Sequence, residues 1–428
     1  MLLRRELGIG AVTLSGIGII LGAGIYALIG RGAGLAGNAI WLSFIISACI
    51  AILTGLSYAE LASLFPRASA EYEYTNQVLG RKAAFVIGWL IIFSGIVGAA
   101  TVALGFAGYL HALTGLPVIP SAVVLIALLS IILFLGIRES AFIASIFTLI
   151  ECAGLIIIIF IGIPYWGSVD YFAMPNGING VIDAAVLVFF AYIGFEQIVK
   201  LSDETLEPEK TIPRGLLLAI GISILMYVAA AISAVSVVGW ERLSSSPAPF
   251  GEVASAAFGA NAGMILSLIA LFATANTVLL MLLASSRITY GMADSFSLPR
   301  VLAGIHPVRR TPWIAIVVIT LVAMFFVSFG DIGFIANVTN FIIFACFTVI
   351  NLTVILLRYR WPALVAPYRV PLHIGKLPVL PLLGVFSCVF FIFQLSLEIL
   401  FVGSILAVVG GILAFTGTCP VCKAQPPP

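Results

Sequence analysis

The stretch GIILGAGIY, residues 18–26, lies inside the first long apolar run of the chain and places Gly22 and Gly24 on either side of one alanine. Glycine weakens a helix by about 1 kcal/mol relative to alanine, and it lets the backbone approach a neighbouring helix or a ligand closely. Glycine is also common where membrane helices pack against each other. Taken alone, this stretch is best explained by close helix packing.

A second stretch, VFFAYIGFE at residues 188–196, changes that interpretation. Gly194 lies at a similar depth in its apolar run as Gly22 does in the first run. Paired interruptions at matching positions of two halves are typical of inverted-repeat transporters. An unwound helix exposes amide donors and carbonyl acceptors, which bind a carboxylate, an ammonium group or an ion. The two stretches together predict a binding site between two broken helices.

The composition predicts that this site lies in a membrane. Of the 428 residues, 62% are hydrophobic and 9% are charged, whereas roughly 25% are charged in a typical soluble domain. So few charges cannot cover the surface of a soluble protein of this size. The composition therefore argues against a soluble enzyme, a disordered protein and a nucleic-acid binder, and it predicts the lipid bilayer as the surroundings.

A helix needs about 20 mostly apolar residues to span a bilayer. The sequence contains a series of apolar runs of about this length. The twelve predicted spans are 8–30, 38–63, 83–110, 119–137, 141–163, 180–199, 213–239, 259–285, 312–330, 333–357, 377–394 and 396–416. We expect an all-α polytopic membrane protein with one transmembrane domain over residues 1–418. Its inverted repeats would cover approximately 8–163 and 180–357, followed by spans eleven and twelve at 377–416. Residues 419–428 are expected to be a disordered cytoplasmic tail.

The basic residues predict the orientation of these spans. If the N-terminus is cytoplasmic, all of the 20 lysines and arginines except Arg31 and Arg242 fall on the inner side. This distribution is what the positive-inside rule predicts. We therefore expect both termini in the cytoplasm and the protein in the plasma membrane.

Cysteine and histidine give little sign of a metal or catalytic site. Cys419 and Cys422 form a single CPVC pair, which without further ligands is a weak metal or redox signal. The histidines, His111, His306 and His373, lie in or beside predicted loops, and the sequence contains no HExxH motif. We expect no metal site, and an intramembrane enzyme is disfavoured.

Four stretches resemble the amino acid–polyamine–organocation transporter superfamily, whose amino acid permeases have a leucine-transporter-like fold. The stretches are GIILGAGIY (18–26), YAEL (58–61) with FPR (65–67) and EY (71–72), FAYIGFE (190–196) with PEKTIPRG (208–215), and SR (286–287) with YGMA (290–293) and TP (311–312). They occur in family order. The resemblance implies a leucine-transporter-like fold in which spans one and six are broken.

The resemblance also implies where a substrate amino acid would bind. Its carboxylate and amine would contact backbone in the broken regions. The positions that match the family pattern are Ile20, Gly22, Ala23 and Gly24 in span one, and Ala191, Tyr192 and Gly194 in span six. Phe190 matches the family's aromatic gate, which lies over the substrate, although a phenylalanine in such a chain more often packs in the core or against lipid.

Glu151 is the clearest ionisable residue deep in the membrane, near the middle of the fifth span. An acid there costs about 2.5–3.5 kcal/mol to insert, so it must be neutral, be paired or face a cavity. Thr148, one turn earlier, is a candidate hydrogen-bond partner. We expect Glu151 to exchange the coupling proton, and the alternative is a permanently protonated packing residue. In several proton-coupled relatives a lysine holds the matching position, so the sign of the charge departs from that pattern.

Other polar residues complete the predicted coupling site. Thr274, Asn276 and Thr277 of span eight offer oxygen atoms in the same region, which leaves sodium as an alternative to the proton. Glu196 follows Gly194 just beyond the second break. In similar transporters an acid at this position links the substrate site to the inner pathway, and the alternative is a solvated interfacial acid near Lys200.

These features predict a secondary active amino acid transporter that works by alternating access, with proton symport as the expected coupling. The alternatives are a sodium-coupled amino acid or polyamine transporter or exchanger, an amino acid sensor that transports nothing, and a channel. The outer loop at 111–120 contains no cysteine, so we expect no disulfide-linked accessory subunit. We expect a monomer or homodimer, and no cofactor besides the coupling ion.

Overall fold

The computed structural model describes residues 6–66, 70–135, 137–295 and 297–415. The predicted tail at 419–428, with Cys419 and Cys422, lies outside the described residues. The α-helices are α1 (Ile9–Ile20), α2 (Gly24–Ala36), α3 (Ile40–Leu64), α4 (Ala70–Leu79), α5 (Arg81–Thr114), α6 (Val118–Leu135), α7 (Ile137–Gly162), α8 (Gly177–Val188), α9 (Pro208–Ser245), α10 (Pro249–Phe258), α11 (Ala260–Asp294), α12 (Trp313–Val327), α13 (Ile332–Arg360), α14 (Val379–Gln394) and α15 (Leu397–Phe415).

Short 3-10 helices and one hairpin complete the secondary structure of these residues. The 3-10 helices are Gly37–Ala39, Ile163–Tyr165, Phe189–Tyr192, Phe195–Glu204 and Arg300–Ala303. The hairpin consists of β1 (His373–Ile374) and β2 (Leu377–Pro378), which pair antiparallel between α13 and α14. Long apolar runs rather than side-chain caps explain most of the α-helices. An exception is α13, where the Asp331 carboxylate accepts the Phe334 N–H over 2.7 Å.

Helix is present in each of the predicted spans. Within the described part of the chain, nine helical stretches are long and apolar enough to cross a membrane, and one of them, Gly24–Leu64, runs through both α2 and α3. Three shorter apolar helices are α1, α12 and α14. The protein is thus a helical polytopic membrane protein, whereas the count of twelve crossings and the inverted repeat stay predictions.

Two interrupted segments are enclosed by longer helices. The first consists of α1 and α2, and the second consists of α8 and the two 3-10 helices that follow it. α1 packs on α9, and α2 packs on α8 and α9. α3 packs along α8 and α9, while α5 packs along α11 and α13. The interruptions therefore lie inside the bundle, where irregular backbone is tolerated only beside protein or a cavity.

Candidate substrate and coupling site

The first segment is interrupted between α1 and α2. α1 ends at Ile20, a short irregular link follows, and α2 begins at Gly24. The Ala27 N–H donates to the Ala23 carbonyl over 2.9 Å as the helical pattern of α2 begins. The first-turn amides of α2, from Gly24 on, precede these internal bonds. Because they also lie at the positive end of the helix dipole, they suit a carboxylate.

The second interruption lies at Ile193 and Gly194, between the 3-10 helices Phe189–Tyr192 and Phe195–Glu204. Gly194 has a φ of 130°, a conformation that residues with a Cβ rarely adopt. A Cβ there would also lie 2.9 Å from the carbonyl oxygen of Ile19 in α1. The position therefore requires glycine both for its own backbone and for the close approach of the first segment.

The two interruptions contact each other directly. A Cβ on Gly24 would lie 2.6 Å from the Ala191 Cα, so this approach depends on glycine. The buried hydroxyl of Tyr227 in α9 is within hydrogen-bond reach of the Ile20 carbonyl and lies 2.8 Å from the Ala191 carbonyl. Because a phenol has one proton, it donates to one of these carbonyls at a time. Tyr227 thus connects the two segments, a role that no local sequence pattern reveals.

One cavity of about 280 Å³ borders both interruptions. The predicted site residues that line it are Ile20, Gly22, Gly24, Phe190, Ala191, Gly194, Glu151, Glu196, Asn276 and Thr277. Backbone of the two broken segments and the candidate coupling residues therefore share a single space. A cavity with a few convergent polar groups is the usual form of a small-molecule site.

Three predicted site residues, Ala23, Tyr192 and Thr274, do not line this cavity. The Ala23 N–H donates to Thr277 Oγ1 over 2.9 Å, which holds the first interruption against α11. The Tyr192 hydroxyl donates to a backbone carbonyl of α3 over 3.0 Å. The Thr274 hydroxyl donates over 2.7 Å to a carbonyl one turn earlier in α11, because a helical threonine readily bonds its own backbone. Thr274 thus does not line the cavity, and its part in coupling stays a prediction.

Glu151 of α7 is buried and borders the cavity. The Asn276 Nδ2 lies 3.4 Å from Glu151 Oε2 and 3.0 Å from Thr148 Oγ1, so Asn276 bridges Glu151 and its candidate partner Thr148. Glu151 Oε1 and Asn276 Oδ1 are buried with no hydrogen-bond partner among the described residues. Two such acceptors in one cluster suit a proton or a cation. Groups of three or more metal-ligating side chains are absent from the described ranges.

Glu196 begins a series of polar side chains that leads away from the second interruption. Its carboxylate accepts the Gly194 N–H over 2.8 Å and the Gln197 side-chain amide over 3.1 Å. Lys200 Nζ donates to Gln197 Oε1 over 2.8 Å and lies 3.8 Å from a carboxylate oxygen of Glu71. Glu196 is only 5% exposed, which does not fit a solvated interfacial acid. Gln197 and Glu71 were not among the predicted site residues.

A second cavity adjoins the first. The rings of Tyr26 and Phe250, which line neither cavity, pack edge to face on the predicted outer side with centroids 5.1 Å apart. On the predicted inner side, a second cavity that reaches Lys200 shares Ile91 and Ile288 with the first. The path away from the interruptions therefore leads toward the predicted cytoplasm.

Much of the remaining cavity wall is apolar and was not predicted. α5 contributes Ile91, Ser94 and Gly95, and α11 contributes Leu280, Met281, Leu283, Ala284, Ser285 and Ile288. In the sequence these residues resemble any others that face lipid or the protein core. Only the packing of α5 along α11 brings them to the site.

Comparison with known proteins adds an independent observation. A family model described as amino acid permease matches residues 7–412. The chain is 29% identical to the branched-chain amino acid permease BcaP of Bacillus subtilis, over 92% of this chain and 89% of that protein. It is 31% identical to the methylthioribose transporter of the same organism, with the same coverage. It is also 29% identical to the vacuolar cationic amino acid transporter 4 of Arabidopsis thaliana, over 86% of this chain and 65% of that protein.

Proposed function

The chain belongs to the amino acid permease family, and from that premise we propose that it carries an amino acid across the membrane by alternating access, in symport with a proton. As a member of this family it is an integral membrane transporter and not an enzyme. The observation that carries the proposal is the cavity that both interruptions share with Glu151. Backbone groups for a substrate and an ionisable side chain for coupling thereby lie together.

The proposed architecture has twelve spans in a leucine-transporter-like arrangement, with spans one to five and six to ten as inverted repeats. Both termini would face the cytoplasm, in line with the basic residues, and the plasma membrane is the proposed location. In this orientation a second cavity, which shares Ile91 and Ile288 with the first, leads inward to Lys200. We therefore infer an inward-facing state of the transport cycle.

The interruptions provide groups for both ends of an amino acid. The first-turn amides at Gly24 suit the carboxylate, and the carbonyls of Ile20 and Ala191 suit the ammonium group. Phe190 is buried and borders the same cavity, as a gate over the substrate requires. The substrate would thus be held mainly by backbone and covered by one aromatic ring.

The substrate side chain would meet a largely apolar wall that includes Ile91, Met281 and Ile288. The two acids at the cavity, Glu151 and Glu196, each have a side-chain amide partner. A neutral apolar side chain therefore fits better than a charged one. The relative named for branched-chain amino acids agrees with this preference, and the relative named for methylthioribose supplies a second substrate to test.

The proton is proposed from the Glu151–Asn276 pair. A proton on Glu151 Oε1 would neutralise a buried carboxylate and turn that oxygen into a donor. Sodium is the second candidate, because Glu151 Oε1 and Asn276 Oδ1 both lack a hydrogen-bond donor among the described residues and hard cations prefer oxygen ligands. Thr277 is less suited to either ion, since its Oγ1 already accepts the Ala23 N–H.

The test is uptake into proteoliposomes that contain the purified protein. Radiolabelled leucine, lysine, glutamate and methylthioribose are offered under an imposed proton gradient, an imposed sodium gradient or neither. We expect saturable leucine uptake that responds to the proton gradient alone. Flux that does not saturate would indicate a channel, and binding without uptake would indicate a sensor. A response to sodium alone would replace the proton as the coupling ion.

The first prediction concerns Glu151→Gln in this assay. Glutamine keeps the size and the hydrogen bonds of a neutral acid but cannot release a proton. We expect the imposed proton gradient to give no more uptake than the absence of a gradient, while exchange of internal for external leucine continues. The matched control is Glu398→Gln, which removes an exposed acid and should behave as wild type. If Glu151→Gln responds to the proton gradient as wild type does, Glu151 does not carry the coupling proton.

A further inference from the structure

An ion pair is buried near the C-terminal ends of α3 and α13. Neither of its residues lines the transport cavity. Arg358 Nε lies 3.0 Å from Glu60 Oε1, and Arg358 Nη2 lies 2.5 Å from Glu60 Oε2. The Glu60 carboxylate also accepts the Val370 N–H over 2.7 Å. The Arg358 side chain is 5% exposed and the Glu60 side chain is 2% exposed. This two-pronged geometry connects α3, α13 and the segment that follows α13.

The guanidinium of Arg358 retains an unused donor. Its Nη1 is buried and has no hydrogen-bond partner in the described part of the chain. Its Nη2 is already shared between Glu60 and the Val370 carbonyl, 3.2 Å away. A buried charged donor without an acceptor lowers the stability of the fold, so an anionic or polar ligand that accepts from Nη1 would be favourable.

A small pocket of about 130 Å³ lies at this position. Its charged lining consists of Glu60, Arg358, Arg369 and Lys376, so three cations face one carboxylate. Arg369 and Lys376 are exposed, and neither takes part in an ion pair among the residues described. The hairpin between α13 and α14 brings Lys376 to the pocket from its turn. The pocket therefore has an excess of positive charge.

We propose that this pocket binds a phosphate group, held by Arg358 Nη1 with Arg369 and Lys376 around it. A planar guanidinium matches phosphate geometry, and flexible lysine supplies a point charge. The segment at 358–376 lies on the predicted cytoplasmic side, where both anionic lipid headgroups and free phosphate compounds occur. Exposed apolar residues at the rim, Trp361 and Leu364, would meet lipid. The ligand would clamp the ends of α3 and α13 to the hairpin.

The experiment measures phosphate binding to the full chain in two arms. In the first, inorganic phosphate is titrated against chloride at equal ionic strength, and the melting temperature of detergent-purified protein is followed. In the second, native mass spectrometry compares retention of phosphatidylglycerol with retention of phosphatidylcholine. A response to phosphate alone assigns a soluble ligand, a response to phosphatidylglycerol alone assigns a lipid headgroup, and a response to both assigns the shared phosphate chemistry.

The double variant Arg369→Gln/Lys376→Gln tests the site without disturbing the buried pair. We expect it to weaken the response about tenfold, through loss of two charge-assisted contacts. The matched control, Lys210→Gln/Arg309→Gln, removes one exposed lysine in the first turn of α9 and one exposed arginine between α11 and α12, both on the same predicted face. The control should keep the wild-type response. The proposal is overturned if wild type responds to neither ligand, or if the control loses as much binding as the double variant.

Discussion

The first and second interruptions differ in what holds their backbone. At the first, the Ala23 N–H is held by Thr277 Oγ1, a side chain of another helix, α11. At the second, the Gly194 N–H is held by Glu196, two residues along the same segment. The first interruption also has α-helix on both sides, whereas the second has 3-10 helix on both sides.

This difference separates the two parts of the proposed mechanism. Thr277 is the next residue after Asn276, which bonds Glu151. The shape of the first interruption therefore depends on the helix that carries part of the candidate coupling site. The second interruption is held by its own segment and continues into the polar series toward Lys200. We infer that ion binding acts on the substrate through the first interruption, and that the second acts on the inner pathway.

The largest expected effect comes from removing the contact that the two interruptions share. In Gly24→Val, the added side chain would occupy space held by Ala191, whose Cα lies 2.6 Å from a Cβ at this position. We expect substrate affinity to fall about a hundredfold, because a valine forced against backbone falls at the upper end of the overpacking cost, about 1–3 kcal/mol. Equilibrium binding of labelled leucine measures it. The control Gly10→Val adds the same side chain to α1 at a position that faces open space among the described residues. Wild-type affinity in Gly24→Val would remove the proposed substrate site.

A smaller effect is expected at the second interruption alone. Gly194→Ala forces a Cβ into a φ of 130° and within 2.9 Å of the Ile19 carbonyl. Such backbone strain costs of order 1–3 kcal/mol, which corresponds to at least about a fivefold loss of affinity. The pH dependence of binding should stay as in wild type, because Glu151 is untouched. Gly221→Ala, at an open helical position, is the control. A changed pH dependence in Gly194→Ala would contradict the separation of roles.

The smallest expected effect tests the link between the first interruption and α11. Thr277→Val removes the acceptor of the Ala23 N–H, which is worth about 0.5–1.5 kcal/mol. We expect affinity to fall about three- to tenfold, and here the pH dependence of binding should flatten as well. Thr274→Val is a matched control, because the Thr274 hydroxyl bonds within its own helix. If both threonine variants behave alike, the first interruption has no special connection to coupling.

Sequence alone predicts the helices and the two interruptions because both depend on local properties. Hydropathy over a span predicts membrane helices, and Gly22, Gly24 and Gly194 indicate where the helices are interrupted. In the structure Glu151 is buried and borders the same cavity as these glycines. What stays a prediction is the number of crossings and the role of each site residue in transport.

The rest of the site could not be predicted because it depends on contacts between distant segments. Tyr227 reaches both interruptions from α9, and Arg358 contacts Glu60 across a sequence separation of 298 residues. Neither pairing has a local signal. Thr274 illustrates the converse case, since its spacing favours the site but its hydroxyl bonds its own helix.

The single proton of Tyr227 makes the two broken segments competitors for one donor. Its hydroxyl is in reach of the Ile20 carbonyl and of the Ala191 carbonyl, which lies 2.8 Å away. When a substrate ammonium group satisfies one of these carbonyls, the phenol is released to serve the other. Substrate binding to one segment would then strengthen the hydrogen bond between Tyr227 and the other segment. A bound amine would in this way affect both segments through one hydroxyl.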